Sequence, residues 1–221
     1  MEKNIKHLIE LVKKYGTDKD MSSYAQKYGE MWCGLKEDIT SILEIGVGTL
    51  IPGTPFSFSH IRQYFPHYLP GGSLRVWKDY FKKAEVYGID IVEDCLIDEE
   101  RLKTFIADSM NREMCDEQLK DLTFDIVIDD GNHNSINQLT TFQNFFHRVN
   151  DDGFYVVEDV GWGDDKTYMY EKYRSEFQEI ANNHEFFVHG PLIVIRKTNT
   201  KLGEIGYHQF LLNIHNSINP L

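Results

Sequence analysis

The sequence has few cysteines and no long apolar run, and both absences restrict its class. Cys33, Cys95 and Cys115 are scattered and odd in number, which argues against a disulfide framework and favours a reducing compartment. No CxxC pair or Cys/His cluster predicts a zinc site. No apolar stretch is as long as a membrane span, and Met1 to Tyr15 alternates charged with apolar residues, unlike a signal peptide. We therefore expect a cytoplasmic protein.

Positive charge is also scarce. Lysine and arginine number 23 against 35 aspartates and glutamates, and the formal net charge is −12. A phosphate backbone or an anionic membrane surface needs a basic face, so the composition argues against both as partners. The 221 residues fit one domain with a sizeable core. A small-molecule partner is the expectation that remains.

The stretch 41–49 predicts a buried strand that ends in a glycine turn. Its apolar residues are typical of a central parallel strand covered on both faces, and Gly46 and Gly48 follow at once. Glycines allow a sharp turn and the close approach of a ligand. Ligands of open α/β sheets lie outside the carboxyl ends of the strands, so this turn is the first candidate for a cofactor site.

The glycine pattern differs from the dinucleotide-binding fingerprint. The third glycine of that fingerprint would fall at Ile51, and Glu44 is no part of it. A carboxylate at Glu44 can instead accept hydrogen bonds from a cationic amine. The stretch resembles the S-adenosylmethionine site of class I methyltransferases.

Further short apolar runs, typical of strands, alternate along the chain with segments whose apolar residues recur at helical spacing. This alternation predicts a doubly wound, mostly parallel, Rossmann-like α/β sheet of seven strands with an antiparallel C-terminal hairpin. The predicted strands are residues 42–45, 85–90, 104–109, 124–130, 153–157, 185–188 and 191–195. Asp90 ends the second strand, where an acid takes ribose hydroxyls in nucleotide-binding α/β folds.

Two segments are expected to lie over the sheet edge. Residues 1–35 carry apolar residues at helical spacing and predict an amino-terminal helical cover of the single domain 1–221. Residues 50–72 hold four of the six prolines and several aromatic residues, which indicates a lid or a substrate-binding insertion. A helix is expected to begin at Gly71-Gly72-Ser73 with Ser73 as its cap, and its amino terminus could bind an anion.

Acidic residues follow the fourth and fifth strands in adjacent pairs. Asp129 and Asp130 end one strand, and Glu158 and Asp159 end the next. Carboxylates crowded at one sheet edge repel each other, and a hard divalent cation such as Mg²⁺ or Mn²⁺ removes that repulsion. Because neighbouring strand residues point oppositely, one member of each pair is expected to serve structure and one chemistry. His133, three residues past Asp130, is a candidate general base.

Five motifs together resemble the metal-dependent sugar O-methyltransferases, including the macrolide deoxysugar methyltransferases of the mycinamicin and tylosin type. The resemblance covers about residues 16–159. Its motifs are Glu44-x-Gly46-x-Gly48, Gly71-Gly72-Ser73-Leu74, Tyr87-Gly88-Ile89-Asp90, Ile128-Asp129-Asp130-Gly131-x-His133 and Val157-Glu158-Asp159.

The resemblance implies a role for each motif. Asp130, Glu158 and Asp159 would ligate magnesium, and His133 would accept the proton. The residues round S-adenosylmethionine would be Glu44, Gly46, Gly48, Ser73, Asp90, Asp108 and Asp129. The segment 16–19 resembles one that lies near the active site of such enzymes. The implied reaction is O-methylation of a sugar or nucleotide-sugar hydroxyl.

Two departures leave the acceptor open. The chain lacks the amino-terminal extension of the macrolide enzymes, which argues against a macrolide substrate, and the loop 161–165 is rich in glycine and acid. A catechol or another vicinal diol is an alternative acceptor. A nicotinamide-dependent nucleotide-sugar enzyme is a second alternative, because Tyr168 and Lys172 have the Tyr-x-x-x-Lys spacing. A non-catalytic adenosylmethionine-binding protein is a third, and a homo-oligomer stays open.

Overall fold

One nine-stranded sheet organises the protein, whose computed structural model describes residues 2–20, 23–54, 57–161, 174–179, 181–198 and 203–218. The strands are β1 (Ser41–Ile45), β2 (Glu85–Asp90), β3 (Asp98–Glu99), β4 (Leu102–Ile106), β5 (Phe124–Asp129), β6 (Val149–Val157), β7 (Glu185–His189), β8 (Leu192–Arg196) and β9 (Gly203–Glu204). Their order is β3-β4-β2-β1-β5-β6-β8-β7-β9. Strands β4, β2, β1, β5 and β6 pair in parallel, and β8 is antiparallel to both β6 and β7.

Helices cover both faces of this sheet. They are α1 (Glu2–Tyr15), α2 (Tyr24–Trp32), α3 (Gly72–Tyr80), α4 (Arg112–Leu119), α5 (Ser135–Phe145), α6, which includes residues 174–179, and α7 (Tyr207–Ile218). Within these described ranges, no helix combines the length and the apolar character that crossing a membrane requires.

Alternation along the central strands builds two cores. In β1 and β5, Ile42 and Ile126 point to one face, whereas Leu43 and Val127 point to the other. The first face packs against α1, α2, α3 and α7, and the second against α4, α5 and α6. Both faces of the central strands are therefore buried, which explains their near-continuous apolar sequence.

The predicted fold class is confirmed, with corrections of detail. Seven strands have five or more residues, and the count of nine includes the two-residue strands β3 and β9 at the edges. The third predicted strand, 104–109, was placed too late, because β4 is Leu102–Ile106. The cap predicted at Ser73 was also wrong. Gly71 is the N-cap of α3 in the left-handed conformation, and Ser73 lies inside the first turn.

Candidate active site

The turn after β1 requires glycine at two positions. Gly46 and Gly48 have φ angles of +94° and +85°, which disfavour any residue with a Cβ atom. A Cβ on Gly46 would lie 2.1 Å from the backbone oxygen of Asp130, and one on Gly48 would lie 2.4 Å from the hydroxyl of Tyr68. The turn is therefore packed directly against the loop that follows β5 and against the insertion.

Asp90 holds this turn in place. Its Oδ2 accepts hydrogen bonds from the backbone N–H of Val47 at 2.9 Å and of Gly48 at 3.3 Å. Its Oδ1 accepts from the N–H of Val92 at 3.1 Å. The carboxylate thus fixes the glycine turn in addition to lying beside the cavity described next.

A cavity of about 280 Å³ opens at the carboxyl edge of the sheet. Four residues that were predicted to contact the cofactor line this cavity. A predicted metal ligand and the predicted general base line it too. The lining includes Gly46, Gly48, Asp90, Asp108, Asp130 and His133. A smaller cavity of about 20 Å³ shares Gly46, Gly48 and Asp130, and is also lined by Thr17, Asp18 and Ser73.

The insertion 50–72 reaches both cavities through one aromatic pair. Phe58 lines both cavities and lies 5.7 Å, centroid to centroid, from the buried ring of Tyr68. The hydroxyl of Tyr68 lies 3.4 Å from the backbone oxygens of Val47 and Gly48. The insertion is therefore anchored on the glycine turn, and its role as a lid stays a prediction.

Three partly exposed side chains converge next to the larger cavity. Asp130, His133 and Asp159 each offer one ligand atom, and these atoms lie within 4.8 Å of one another. His133 Nε2 is 3.7 Å from Asp159 Oδ2. The two carboxylates offer the oxygen ligands that suit a divalent cation such as Mg²⁺ or Mn²⁺, and the imidazole lies beside them. The sequence predicted two of these three as ligands and His133 as the base.

The third predicted ligand, Glu158, has a different environment. Its carboxylate is buried and accepts hydrogen bonds from Lys19 Nζ at 2.8 Å and from the Tyr28 hydroxyl at 2.5 Å. Lys19 Nζ also lies 2.9 Å from Asp130 Oδ2 and 3.2 Å from Glu44 Oε1. One buried ammonium group therefore contacts three acids on different strands: Glu44 lies within β1, Asp130 follows β5 and Glu158 follows β6.

Glu44 is enclosed by the same contacts. Its Oε2 accepts from the indole N–H of Trp77 at 2.7 Å, and no part of the side chain is exposed. In β1 the alternation points Glu44 to the face covered by α1, α2 and α3, which explains why Lys19 and Trp77 reach it. The cationic partner expected for this carboxylate is thus the side chain of Lys19, and neither cavity includes Glu44 in its lining.

The charges in this cluster shift each other's ionisation. Burial would lower the pKa of Lys19, but Asp130, Glu158 and Glu44 outweigh burial and hold it well above its usual range. Burial raises the pKa of Glu158 and of Glu44, and Lys19 opposes the rise. One ammonium group thus lies among three carboxyl groups, and a further cation beside Asp130 would weaken the repulsion by which Asp130 raises the pKa of Glu158 and of Glu44.

Asp129 lies apart from this network, as its place in the strand requires. It is 2% exposed on the opposite face of the sheet, and burial raises its pKa to about 8. Its Oδ1 accepts from the backbone N–H of Gly131 at 3.4 Å. Of the adjacent acids, Asp130 therefore faces the cavity, whereas Asp129 lines neither cavity, and its contact with a cofactor stays a prediction.

Helix α2 supplies two tyrosines to the acids after β6. Tyr24 and Tyr28 are one helical turn apart, and both rings are buried. The Tyr24 hydroxyl donates to Asp159 Oδ1 at 2.9 Å, and the Tyr28 hydroxyl donates to Glu158 Oε1. Burial and the neighbouring carboxylates raise the pKa of both tyrosines, so both hydroxyls keep the proton that they donate.

Similarity to known proteins agrees with this geometry. No protein-family model matches the chain. The 8-demethyl-8-alpha-L-rhamnosyl tetracenomycin-C 2'-O-methyltransferase of Streptomyces olivaceus is 34% identical over 164 residues, which cover 72% of this chain and 39% of that protein. The mycinamicin VI 2''-O-methyltransferase of Micromonospora griseorubida is 33% identical over 156 residues, which cover 69% and 36% respectively. The chain is a homologue of bacterial sugar O-methyltransferases.

Solved structures support the same relationship. The MycE methyltransferase from the mycinamycin biosynthetic pathway, in complex with Mg, SAH and mycinamycin VI, superposes with a TM-score of 0.69 at 26% identity. The match covers 90% of this sugar O-methyltransferase homologue and 56% of MycE. The sequence matches cover less than two fifths of the length of the two curated relatives named above.

Sequence reasoning missed most of the amino-terminal contacts in this homologue. The likeness of segment 16–19 to an active-site segment was the only signal for Lys19, and Tyr24 and Tyr28 were assigned only to a cover. The loop 161–165, apart from residue 161, and the Tyr168 and Lys172 pair lie outside the described residues. The nicotinamide reading based on that pair therefore stays an untested alternative.

Proposed function

We propose that this chain transfers a methyl group from S-adenosylmethionine to a hydroxyl of a sugar or nucleotide sugar, with a divalent cation bound beside the acceptor. One observation carries the proposal. The wall of a single cavity of about 280 Å³ includes both the glycine turn with Asp90 and the loop with Asp130 and His133. The homology to sugar O-methyltransferases supports the same reaction.

The residues fit both groups that the reaction needs. Gly46 and Gly48 line the larger cavity next to Asp90 and Asp108, so a cofactor there would contact the backbone of the turn and these two carboxylates. The carboxylate oxygens of Asp130 and Asp159 fit a hard divalent cation, with the imidazole of His133 beside them. Asp130 and Asp159 would hold it, and Glu158, now bound by Lys19 and Tyr28, stays a predicted third ligand.

The chain's own groups then divide the remaining work. When bound, S-adenosylmethionine would supply a methyl group whose bond to sulfur breaks as the C–O bond forms, leaving S-adenosylhomocysteine, and Mg²⁺ would supply a Lewis acid that makes the hydroxyl more acidic. His133 accepts the hydroxyl proton at Nε2 as the new C–O bond forms, and Asp159, 3.7 Å away, stabilises the resulting imidazolium. The cavity wall orients the acceptor and excludes water.

Binding and turnover test this function directly. Calorimetry should show that the protein binds S-adenosylhomocysteine and not NAD⁺. Incubation with S-adenosylmethionine, Mg²⁺ and a panel of rhamnosides, nucleotide sugars and catechols should give a methylated sugar by mass spectrometry. Tight NAD⁺ binding without S-adenosylhomocysteine binding would refute the cofactor, and methylation of the catechols alone would refute the acceptor.

The substitution Asp90→Ala should weaken cofactor binding. It removes a charged acceptor from the cavity wall, where hydrogen bonds to a charged group contribute about 1.5–3 kcal/mol each, and it also frees the turn at Val47 and Gly48. We expect the dissociation constant for S-adenosylhomocysteine to rise at least about tenfold, as measured by calorimetry.

Asp94→Ala is the matched control for this substitution. Asp94 also accepts a backbone N–H, that of Leu50 at 3.1 Å, but it is not among the residues that line the larger cavity. Its removal should leave the affinity for S-adenosylhomocysteine unchanged. Equal losses in both variants would show that Asp90 acts only through the fold.

A further inference from the structure

The backbone of Asp159 is in the left-handed conformation. Its φ angle is +53°, in the left-handed region that residues with a Cβ atom rarely adopt. It follows directly after the buried Glu158 at the end of β6. Strained backbone of this kind persists where surrounding contacts hold it, and it is common at functional sites.

The Tyr24 hydroxyl contacts Asp159 twice. It accepts a hydrogen bond from the backbone N–H of Asp159 at 3.1 Å and donates one to Oδ1 of the same residue at 2.9 Å. One oxygen atom therefore fixes both the strained backbone and the side-chain rotamer. The other carboxylate oxygen, Oδ2, is the one that lies 3.7 Å from His133 Nε2.

The position of that hydroxyl is itself fixed by the core. The Tyr24 side chain is 2% exposed, and its ring lies 6.1 Å, centroid to centroid, from the ring of Tyr28. Tyr24 is the first residue of α2, and Tyr28 donates to the preceding acid, Glu158, one turn later. Helix α2 thus sets the geometry of two consecutive acids from outside the sheet.

We propose that Tyr24 is a positioning residue for the cation site, acting through Asp159. The inference rests on the proposed function, since it assigns Asp159 to the cation. The hydroxyl occupies Oδ1 and leaves Oδ2 facing His133 Nε2. Groups that orient a metal ligand in this way typically change metal affinity 10–100-fold when they are removed.

Tyr24→Phe tests this role, because it removes one oxygen atom and keeps the buried ring. The measurement is titration of the purified protein with Mn²⁺ alone, followed by electron paramagnetic resonance, together with calorimetry for S-adenosylhomocysteine. We expect Mn²⁺ affinity to fall about tenfold or more and S-adenosylhomocysteine affinity to stay the same.

Tyr15→Phe is the matched control. The Tyr15 hydroxyl also donates to a carboxylate, Asp79 Oδ2 at 2.6 Å, but on the α1–α3 surface. It should lose no Mn²⁺ affinity. If Tyr24→Phe binds Mn²⁺ as tightly as the wild type, the proposal is wrong, even if the melting temperature falls.

The proposed function fails in a distinguishable way. If the wild-type protein binds no Mn²⁺, the proposed cation site is wrong, and so is the role of Tyr24. A wild type that binds Mn²⁺, with a Tyr24→Phe variant that binds it equally well, would remove the inference alone. A higher KM for Mg²⁺ in Tyr24→Phe, with kcat at saturating Mg²⁺ retained, would be independent support.

Discussion

Chelation of divalent cations with EDTA should abolish methyl transfer by the purified protein, and added Mg²⁺ or Mn²⁺ should restore it. The reason is electrostatic. Lys19 faces Glu44, Asp130 and Glu158, and Asp159 lies beside Asp130. A sugar hydroxyl is also a weak acid, so a base such as His133 needs a Lewis acid beside it to remove the proton. The measurement is the rate of S-adenosylhomocysteine formation.

The cofactor site provides the internal control for chelation. Gly46 and Asp90 are not members of the candidate cation group, so binding of S-adenosylhomocysteine should survive EDTA. His133→Ala should lower the rate about 10²–10⁴-fold, the usual contribution of a general base, while Mn²⁺ binding persists. Full turnover in EDTA, with no metal in the purified protein, would show that the acids are structural. Loss of Mn²⁺ from His133→Ala would make His133 a ligand instead of the base.

Replacement of Lys19 by methionine should cause a large loss of stability. The side chain is 1% exposed, and its ammonium group lies within 3.2 Å of oxygens from three acids. Removing one partner of a buried ion pair leaves an uncompensated charge and costs about 3–5 kcal/mol. For a domain of this size that corresponds to a fall of roughly 6–20 °C in melting temperature. Thermal unfolding followed by circular dichroism measures it.

Lys14→Met controls for the loss of a lysine from the same segment. Lys14 Nζ pairs with Asp79 Oδ2 at 2.9 Å, but its side chain is 57% exposed. Exposed pairs contribute about 0–1 kcal/mol, so this variant should unfold close to the wild-type temperature. Similar melting temperatures for the two variants would show that the buried acids tolerate the loss of Lys19 by taking up protons.

The sheet could be predicted because its signals are local. The apolar run 126–128 and the glycines after Ile45 indicate a buried strand and a turn without knowledge of any neighbour. Helix α4 was not predicted, because only Met114, Cys115 and Leu119 are apolar in Arg112–Leu119. The cap of α3 was misplaced because local preference favours serine, whereas the chain enters the helix through a left-handed Gly71.

The contacts of the candidate site depend on distant parts of the chain. Topology alone brings the ends of β1, β5 and β6 to one edge, so the meeting of the acids followed from the strand pattern. The ion pair of Lys19 with Glu158 joins residues 139 positions apart. No spacing rule predicts which lysine packs over such an edge. Glu44 was therefore predicted to contact the cofactor and Glu158 to bind the metal, and the contact of Lys19 with both was not predicted.

The close approach of Gly46 to Asp130 also limits how such a protein can be re-engineered. A Cβ atom at residue 46 would lie only 2.1 Å from the backbone oxygen of Asp130. The turn after β1 and the loop after β5 are therefore in direct contact, with no space for a side chain between them. A library that varies residue 46 to admit another cofactor would therefore also displace the loop that follows β5, which carries Asp130 and His133. Under the proposed function, acceptor preference would change with less displacement at Phe58 of the insertion, whose side chain lines both cavities. Selection for new acceptors should accordingly accumulate changes in residues 50–72 and leave the glycine turn untouched.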